Sequence, residues 1–339
     1  MAALQWVGHK NPTVAFLMFL PAWLWAIPLL IMLLPALLVD TVRSGILTLL
    51  AVAFYLGPFL GYRLGSGSEG EAPRGMTSLR VMTFNRGQSQ GTSLQPFKNQ
   101  WKPDILALQD SGGRVQQYLG ADGYREFTHG ASVGEFVLLS KFPILASEIV
   151  RAEIDDLEKG GKRQYEIGGR FELDWNGTRV VVYSAHLPTH RGMLLAERNG
   201  GFLAGVLGLP GTPWSDKRRR RQEYWNVPLE QVKQLSERVG RETLPTLLVG
   251  DLNNPPYGPF YSTLTQHLAD SQAEEGSGYG YTFPGTTNNP LALFRPWLRI
   301  DYLFHSKGQW MTLKHVAEPH RGSQHRAVFA EFGQVHAGR

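Results

Sequence analysis

The sequence predicts an α/β or α+β sandwich preceded by a membrane anchor of two apolar segments. From Leu79 onward, short apolar runs recur and end in polar residues, and stretches with helical spacing lie between them. Near the N-terminus, Thr13 to Val39 form 27 consecutive residues without a charge.

The anchor comes first in the chain. The segment TVAFLMFLPAWLWAIPLLIMLLPALLV is long enough for a transmembrane helix even with prolines at 21, 28 and 35. A polar break, Asp40 to Ser44, separates it from GILTLLAVAFYLGPFLGY, Gly45 to Tyr62, at the lower end of spanning length. Two transmembrane helices, about 13–39 and 45–62, are therefore expected to form a hairpin within an anchor domain of residues 1–62, making the chain a multi-pass cell-membrane protein. Lys10 and Arg63 flank the pair and lean the remaining domain slightly towards the cytoplasm. The Gly-, Ser- and Glu-rich stretch 63–78 reads as a flexible linker.

The domain expected at 79–339 has the apolar runs LRVMTFN, DILALQD, EFVLLS, TLLVGDLN, RIDYLFHS and AVFAEF. Between them FELDWNGTRVVVYSAHL holds Asn176-Gly177 between two β-rich runs, a two-residue hairpin signal. The clearest helix is QEYWNVPLEQVKQLSERVG, with apolar residues three and four apart. The chain has no cysteine, which excludes disulfides, thiolate metal sites and cysteine nucleophiles. Lys+Arg exceed Asp+Glu by 34 to 29, an excess matched by the single run Lys217 to Arg221. The basic character is thus local, and by itself says little about a nucleic-acid partner.

Several strands end, or begin, in groups able to hold a metal or a phosphate: Asn85, Asp110, His186, Asp251 with Asn253, Asp301, and His325. Each alone could be a turn residue. Together they offer the oxygen ligands a hard cation such as Mg²⁺ prefers, with imidazoles that titrate near neutrality.

The ordered motifs VMTFN, PDILALQD, SAHL, VGDLNN, RIDYLF and SQHRAV resemble the endonuclease/exonuclease/phosphatase (DNase I-like) superfamily, across residues 79–333, and the segment GYTFPGTTNNPLALFRPWLRIDY resembles the corresponding loop of its membrane-anchored bacterial members. The resemblance implies an α+β fold, a four-layer αββα sandwich with the site at one edge of two packed sheets. It implies hydrolysis of a phosphoester with Mg²⁺ or Mn²⁺. By position, Asn85 and Asp110 correspond to metal-binding residues. Asp251 would orient or deprotonate the water, and Asn253 would contact the phosphate. His186 matches the histidine of the nuclease and sphingomyelinase branches, while Asp301 would hold the tautomer of a catalytic His325.

Two positions depart from the family pattern. Asp110 stands where the family has a glutamate, and Gln324 where it has an aspartate, so the site carries a shorter ligand and one charge fewer. An active hydrolase and a weakened binding protein are both compatible with these changes. For the substrate, an apolar glycine-rich insertion beside Arg218 and Arg219 and the residues Phe283, Phe294, Arg295 and Trp297 suggest contacts to a lipid phosphate. Tethering to a bilayer favours lipid-linked phosphodiesters or pyrophosphates, with nucleic acid as the second choice. No protein partner can be inferred.

Overall fold

The computed structural model describes residues 6–21, 24, 27–65, 76–87, 93–155, 160–190, 214–285 and 296–335. Two six-stranded sheets pack face to face. In chain order the first contains β2 (Ser78–Asn85), β3 (Ile105–Gln109), β4 (His129–Val133), β5 (Phe136–Ser140), β13 (Trp310–Ala317) and β14 (Val328–Gln334). The second contains β6 (Ile144–Asp155), β7 (Lys162–Trp175), β8 (Thr178–His186), β9 (Thr246–Asp251), β10 (Leu268–Asp270) and β12 (Asp301–Ser306). Their spatial orders are β13-β14-β2-β3-β5-β4 and β10-β12-β9-β8-β7-β6.

Side-chain alternation makes the layers. From β2, Leu79 and Val81 join Ala107, Leu138, Phe171, Val182, Val249 and Leu303 between the sheets. Met82 and Phe84, one residue out of phase, face the outer side with Phe97 and Tyr118 from the helices Phe97–Trp101 and Val115–Leu119. On the far side Tyr183 and Leu248 pack under Val232, Leu235 and Val239 of the long helix Trp214–Gly240. The result is the expected α+β sandwich of four layers. The Asn176-Gly177 hairpin also stands as expected, with both residues at positive φ and joining β7 to β8.

Each sheet has one parallel pair at its centre, β2 with β3 and β8 with β9, and otherwise antiparallel neighbours. The C-terminal ends of these four strands therefore lie near the N-terminal ends of their antiparallel neighbours β5, β12 and β14. Asn85, Asp110, His186, Asp251, Glu135, Asp301 and His325 all stand at or beside those ends.

The expected membrane hairpin takes a different form. Among the described residues no helix is long and apolar enough to cross a membrane. The first expected span is divided: α1 (Pro12–Leu17) is separate from α2 (Ile27–Val39). At 13 residues α2 rises about 20 Å, against a hydrocarbon core of about 30 Å. In place of the second span, α3 (Thr41–Phe54) gives way to a single π turn, Tyr55–Phe59. Asp40 caps α3 by accepting from the Arg43 amide at 3.0 Å, and Ser44 Oγ donates to Ala36 O at 2.6 Å to join the two helices. Ile31, Met32, Leu38, Val39, Leu47 and Leu50 remain exposed on the pair. The expected linker also departs at its start, because Arg63–Leu64 (β1) pairs with Ser277–Gly278 (β11).

The segment ahead of α2 docks on the sandwich. Ala15, Met18 and Phe19 are buried with Trp225, Trp297 and Leu298. His9 Nε2 lies 2.7 Å from Asn254 Oδ1, and Tyr257 donates its hydroxyl to Met18 O at 2.6 Å. Phe19 stacks on Trp225 and edges onto His190. Burial outweighs the Asn254 hydrogen bond and holds His9 down at about 4. Burial and the neighbouring His9 hold His190 down at about 3. Both are neutral when docked, whereas a free histidine titrates near 6.5, so the undocked state binds the extra protons. Docking is thus fully stabilised above about pH 6.5 and is lost as pH falls towards 4, by on the order of 3 kcal/mol per histidine. Amide exchange of residues 14–20 should accelerate between neutral pH and about pH 4.5, beyond the intrinsic rate change. The acceleration should be smaller in His9→Gln; an equal one would remove His9 from the docking.

Candidate active site

Asp251 is the centre of the cleft. It is 1 % exposed, at the end of β9, in register with both His186 of β8 and Asp301 of β12. Gly250 makes this possible: its φ is +127°, and a Cβ there would fall 2.1 Å from Ala185 O. Asn85 donates its amide to Asp251 Oδ2 at 2.8 Å, and the Asn253 backbone donates to Oδ1 at 2.9 Å. Asn253, at φ +50°, also donates its side-chain amide to Leu187 O at 2.8 Å and to Asp251 Oδ2 at 3.3 Å.

Two imidazoles flank this carboxylate. His186 Nε2 and His325 Nε2 each lie 3.7 Å from Asp251 Oδ2. On its other side His325 Nδ1 is 3.2 Å from both Asp301 oxygens, and His186 Nδ1 is 2.6 Å from Glu135 Oε1. The arrangement reads Glu135–His186–Asp251–His325–Asp301, with both Nδ1 atoms engaged by carboxylates and both Nε2 atoms turned to the centre. A carboxylate on Nδ1 holds the tautomer and supports the cation.

The charges follow from these contacts. Burial opposes the His186 cation, but the Glu135 hydrogen bond and the charges of Asp251, Glu135 and Asp110 outweigh it, raising its pKa to about 9. Burial likewise opposes the His325 cation, and the charges of Asp301 and Asp251 reverse the effect. Burial pushes the Asp251 carboxyl up, against the opposing pull of His325 and His186. A carboxylate raised in this way is a better proton acceptor near neutrality than an exposed aspartate.

Asp110 sits just past β3 at φ +53°, a conformation aspartate tolerates better than most residues. Its Oδ1 is 4.0 Å from His186 Nδ1. Asp110, Glu135 and His186 each offer one ligand atom, all within 4.8 Å of one another, and Asp251, Asp301 and His325 form a second such group. Hard carboxylate oxygens in the first, more open group suit a divalent cation such as Mg²⁺. Gln324 takes no part in either group: its side chain is exposed, and its backbone carbonyl accepts from Gly285 N at 2.6 Å.

All seven polar residues singled out from the sequence, from Asn85 to His325, meet at this edge. Phe283 is also present, its ring centroid 5.1 Å from that of His325, in a packing position. Nearby, Thr282 Oγ1 accepts from the Ile300 and Asp301 amides at 3.3 Å, steadying the partner of His325. Arg218 and Arg219 belong to the backbone of the helix Trp214–Gly240, but their side chains lie outside the described residues, as do Phe294 and Arg295 entirely. Glu135 escaped the sequence reading. It precedes β5 instead of ending a strand, and only the antiparallel pairing of β5 with β3 brings it beside Asp110. The Ser111 amide donates to Glu135 O at 2.9 Å, and a Cβ on Gly112 would meet Gly134 O at 2.5 Å, so the two loops lie against each other.

Residues 90–325 match the profile of the Endonuclease/Exonuclease/phosphatase family. No curated protein matches the sequence. The fold is similar to a crystal structure of D. rerio TDP2 complexed with single strand DNA product, at 12% identity and TM-score 0.50, covering 76% of this chain and 99% of that one. It is similar also to an endonuclease/exonuclease/phosphatase from Beutenbergia cavernae, at 18% identity and TM-score 0.48, covering 77% and 72%. A third is the 3' phosphatase NExo from Neisseria bound to product DNA hairpin, at 16% identity and TM-score 0.46, covering 75% and 99%. The family match over most of the sandwich, with the paired histidines and carboxylates at its open edge, identifies this chain as a member of the endonuclease/exonuclease/phosphatase family and a metal-dependent phosphoester hydrolase.

Proposed function

We propose that this hydrolase acts at a membrane on a lipid-linked phosphodiester or pyrophosphate, by direct attack of water on phosphorus. One observation carries the choice of substrate. The exposed apolar pair α2–α3 follows a segment that docks against the active-site wall: Ala15, Met18 and Phe19 share a buried cluster with Trp297 and Leu298, which Phe283 joins, and the Phe283 ring lies against His325. Beyond α3, Tyr62 edges onto Tyr279, which stacks on Tyr281, so aromatic rings gather where the apolar helices meet the sandwich. Tyrosines at such a boundary are the side chains that settle at a membrane interface. An apolar pair too short to span can lie partly immersed, placing the cleft at the depth of the headgroups. The domain would face the cytoplasm, in keeping with Lys10 and Arg63.

The chemistry assigns each side chain a task. Asp251 holds the attacking water and takes its proton, helped by its raised pKa. His186 and His325, kept cationic by Glu135 and Asp301, direct Nε2–H groups at the phosphoryl oxygens and neutralise charge as it develops. Asn253 and Asn85 lock the Asp251 carboxylate in place and limit its rotation. A divalent ion at Asp110 would act as a Lewis acid on the phosphoryl oxygen.

A DNA substrate is the second reading, favoured by the single strand DNA product in the similar TDP2 structure. The full chain in mixed vesicles with Mg²⁺, offered phosphodiester lipid, lipid pyrophosphate and plasmid DNA, separates the two. Turnover of a lipid is expected; plasmid nicking without lipid turnover would overturn the reading. Asp251→Asn should lower kcat by roughly 10²- to 10⁴-fold, the scale of a general base. It should also lower the melting temperature, because it leaves the two imidazoles beside Asp251 without their shared counter-charge. Leu47→Asp with Leu50→Asp should release the protein from sedimenting vesicles while leaving turnover of a soluble phosphodiester unchanged. Full retention on vesicles would exclude α3 from the membrane contact.

A further inference from the structure

Resting on the hydrolase reading of this site, we propose that Glu135 is a ligand of the divalent cation, supplying from the turn between β4 and β5 the carboxylate that position 324 lacks. Position 324 holds an amide whose side chain is exposed and forms no part of the acidic groups of the cleft. Glu135 and Asp110 each bring a carboxylate oxygen within 4.8 Å of the other, grouped with His186. Two carboxylates this close repel unless a proton or a cation lies between them, and hard oxygen donors favour Mg²⁺ or Mn²⁺.

Reach and access agree with this assignment. Asp110 is one methylene shorter than a glutamate, and Glu135 approaches from the neighbouring β4–β5 turn with the longer side chain. The two side chains are 38% and 41% exposed, enough for an ion to enter with part of its water shell. One Glu135 oxygen, Oε1, meets His186 Nδ1 at 2.6 Å, which leaves Oε2 for the ion. The competing group is closed. Asp251 is engaged by Asn85 and Asn253, and both Asp301 oxygens face His325 Nδ1. One side chain thus orients an imidazole and ligates the metal, so loss of charge and loss of orientation can be told apart by an isosteric change.

The test is calorimetric titration of Mn²⁺ and Mg²⁺ into the full chain in detergent. Glu135→Gln retains an oxygen for the His186 hydrogen bond and removes only the charge. At least a tenfold rise in Kd for Mn²⁺ is expected, with loss of the melting-temperature rise that Mn²⁺ gives the unsubstituted protein. Unchanged Mn²⁺ affinity in Glu135→Gln would overturn the assignment, even if turnover falls, because Glu135 would then act through His186 alone. A melting curve without metal checks that the variant is folded. If Glu135→Gln weakens Mn²⁺ binding while the unsubstituted chain hydrolyses no phosphoester, the ligand assignment survives and the hydrolase reading fails.

Discussion

The buried carboxylate of Asp251 is the constraint around which the site is built. An ionised group removed from water needs several polar partners, and Asp251 has them: an asparagine amide from each side, a backbone N–H and two imidazoles, set against the like charge of Asp301. Those imidazoles would themselves be unfavourable as buried cations. Each is therefore backed by a second carboxylate, which extends the line of alternating charge to Glu135 and Asp301. Removing any member leaves its neighbour with an unmatched charge in a medium of low dielectric. The same alternation that makes the line stable prepares it for a phosphoryl group, which arrives with negative charge and meets the two Nε2 atoms gathered around Asp251.

Strand direction explains why these groups can meet at all. In each sheet a central parallel pair brings two strand ends to the same edge, and the antiparallel strands beside them bring two beginnings. The face-to-face packing of Val81, Ala107, Val182 and Val249 then holds the two edges at a fixed separation. The interior between the sheets is closely filled and largely apolar, with the buried chain Thr83–Gln109–Ser184 bridging the two sheets, and a one-residue shift in register would turn the polar strand ends to the opposite face.

Much of this was legible in the sequence. Apolar runs ending in Asn85, His186 and Asp251 announced strands with functional ends, and the Asn176-Gly177 turn named its own hairpin. Asp301 and His325 were legible through the motifs around them. Glu135 was not, since nothing local distinguishes a glutamate ahead of β5 from an exposed one; its role depends on pairing with a strand some thirty residues earlier in the chain. The apolar N-terminal run takes a form other than two spanning helices for a related reason. A charge-free run reports hydrophobicity but not destination, and part of it found an apolar partner in Trp225 and Trp297 before any membrane was needed. Residues 14–20 are thus as much a piece of the sandwich as of the anchor.

That docking changes how an apolar segment and a catalytic cleft relate. A flexible tether raises the concentration of substrate near a site but leaves its orientation free. Here the chain is fixed to the sandwich at both ends of the apolar pair, by the docked segment at one end and by β1 against β11 at the other. The first attachment reaches the active-site wall, since Phe283 sits in the same cluster as Phe19 and lies against His325. A pair of helices held at two points has a defined direction relative to the cleft. If α2 and α3 enter a bilayer, the cleft must take a set attitude to its surface, and the phosphates presented to His186 and His325 are those of the headgroup layer. The choice of substrate then follows from where the chain is held as well as from the shape of the pocket.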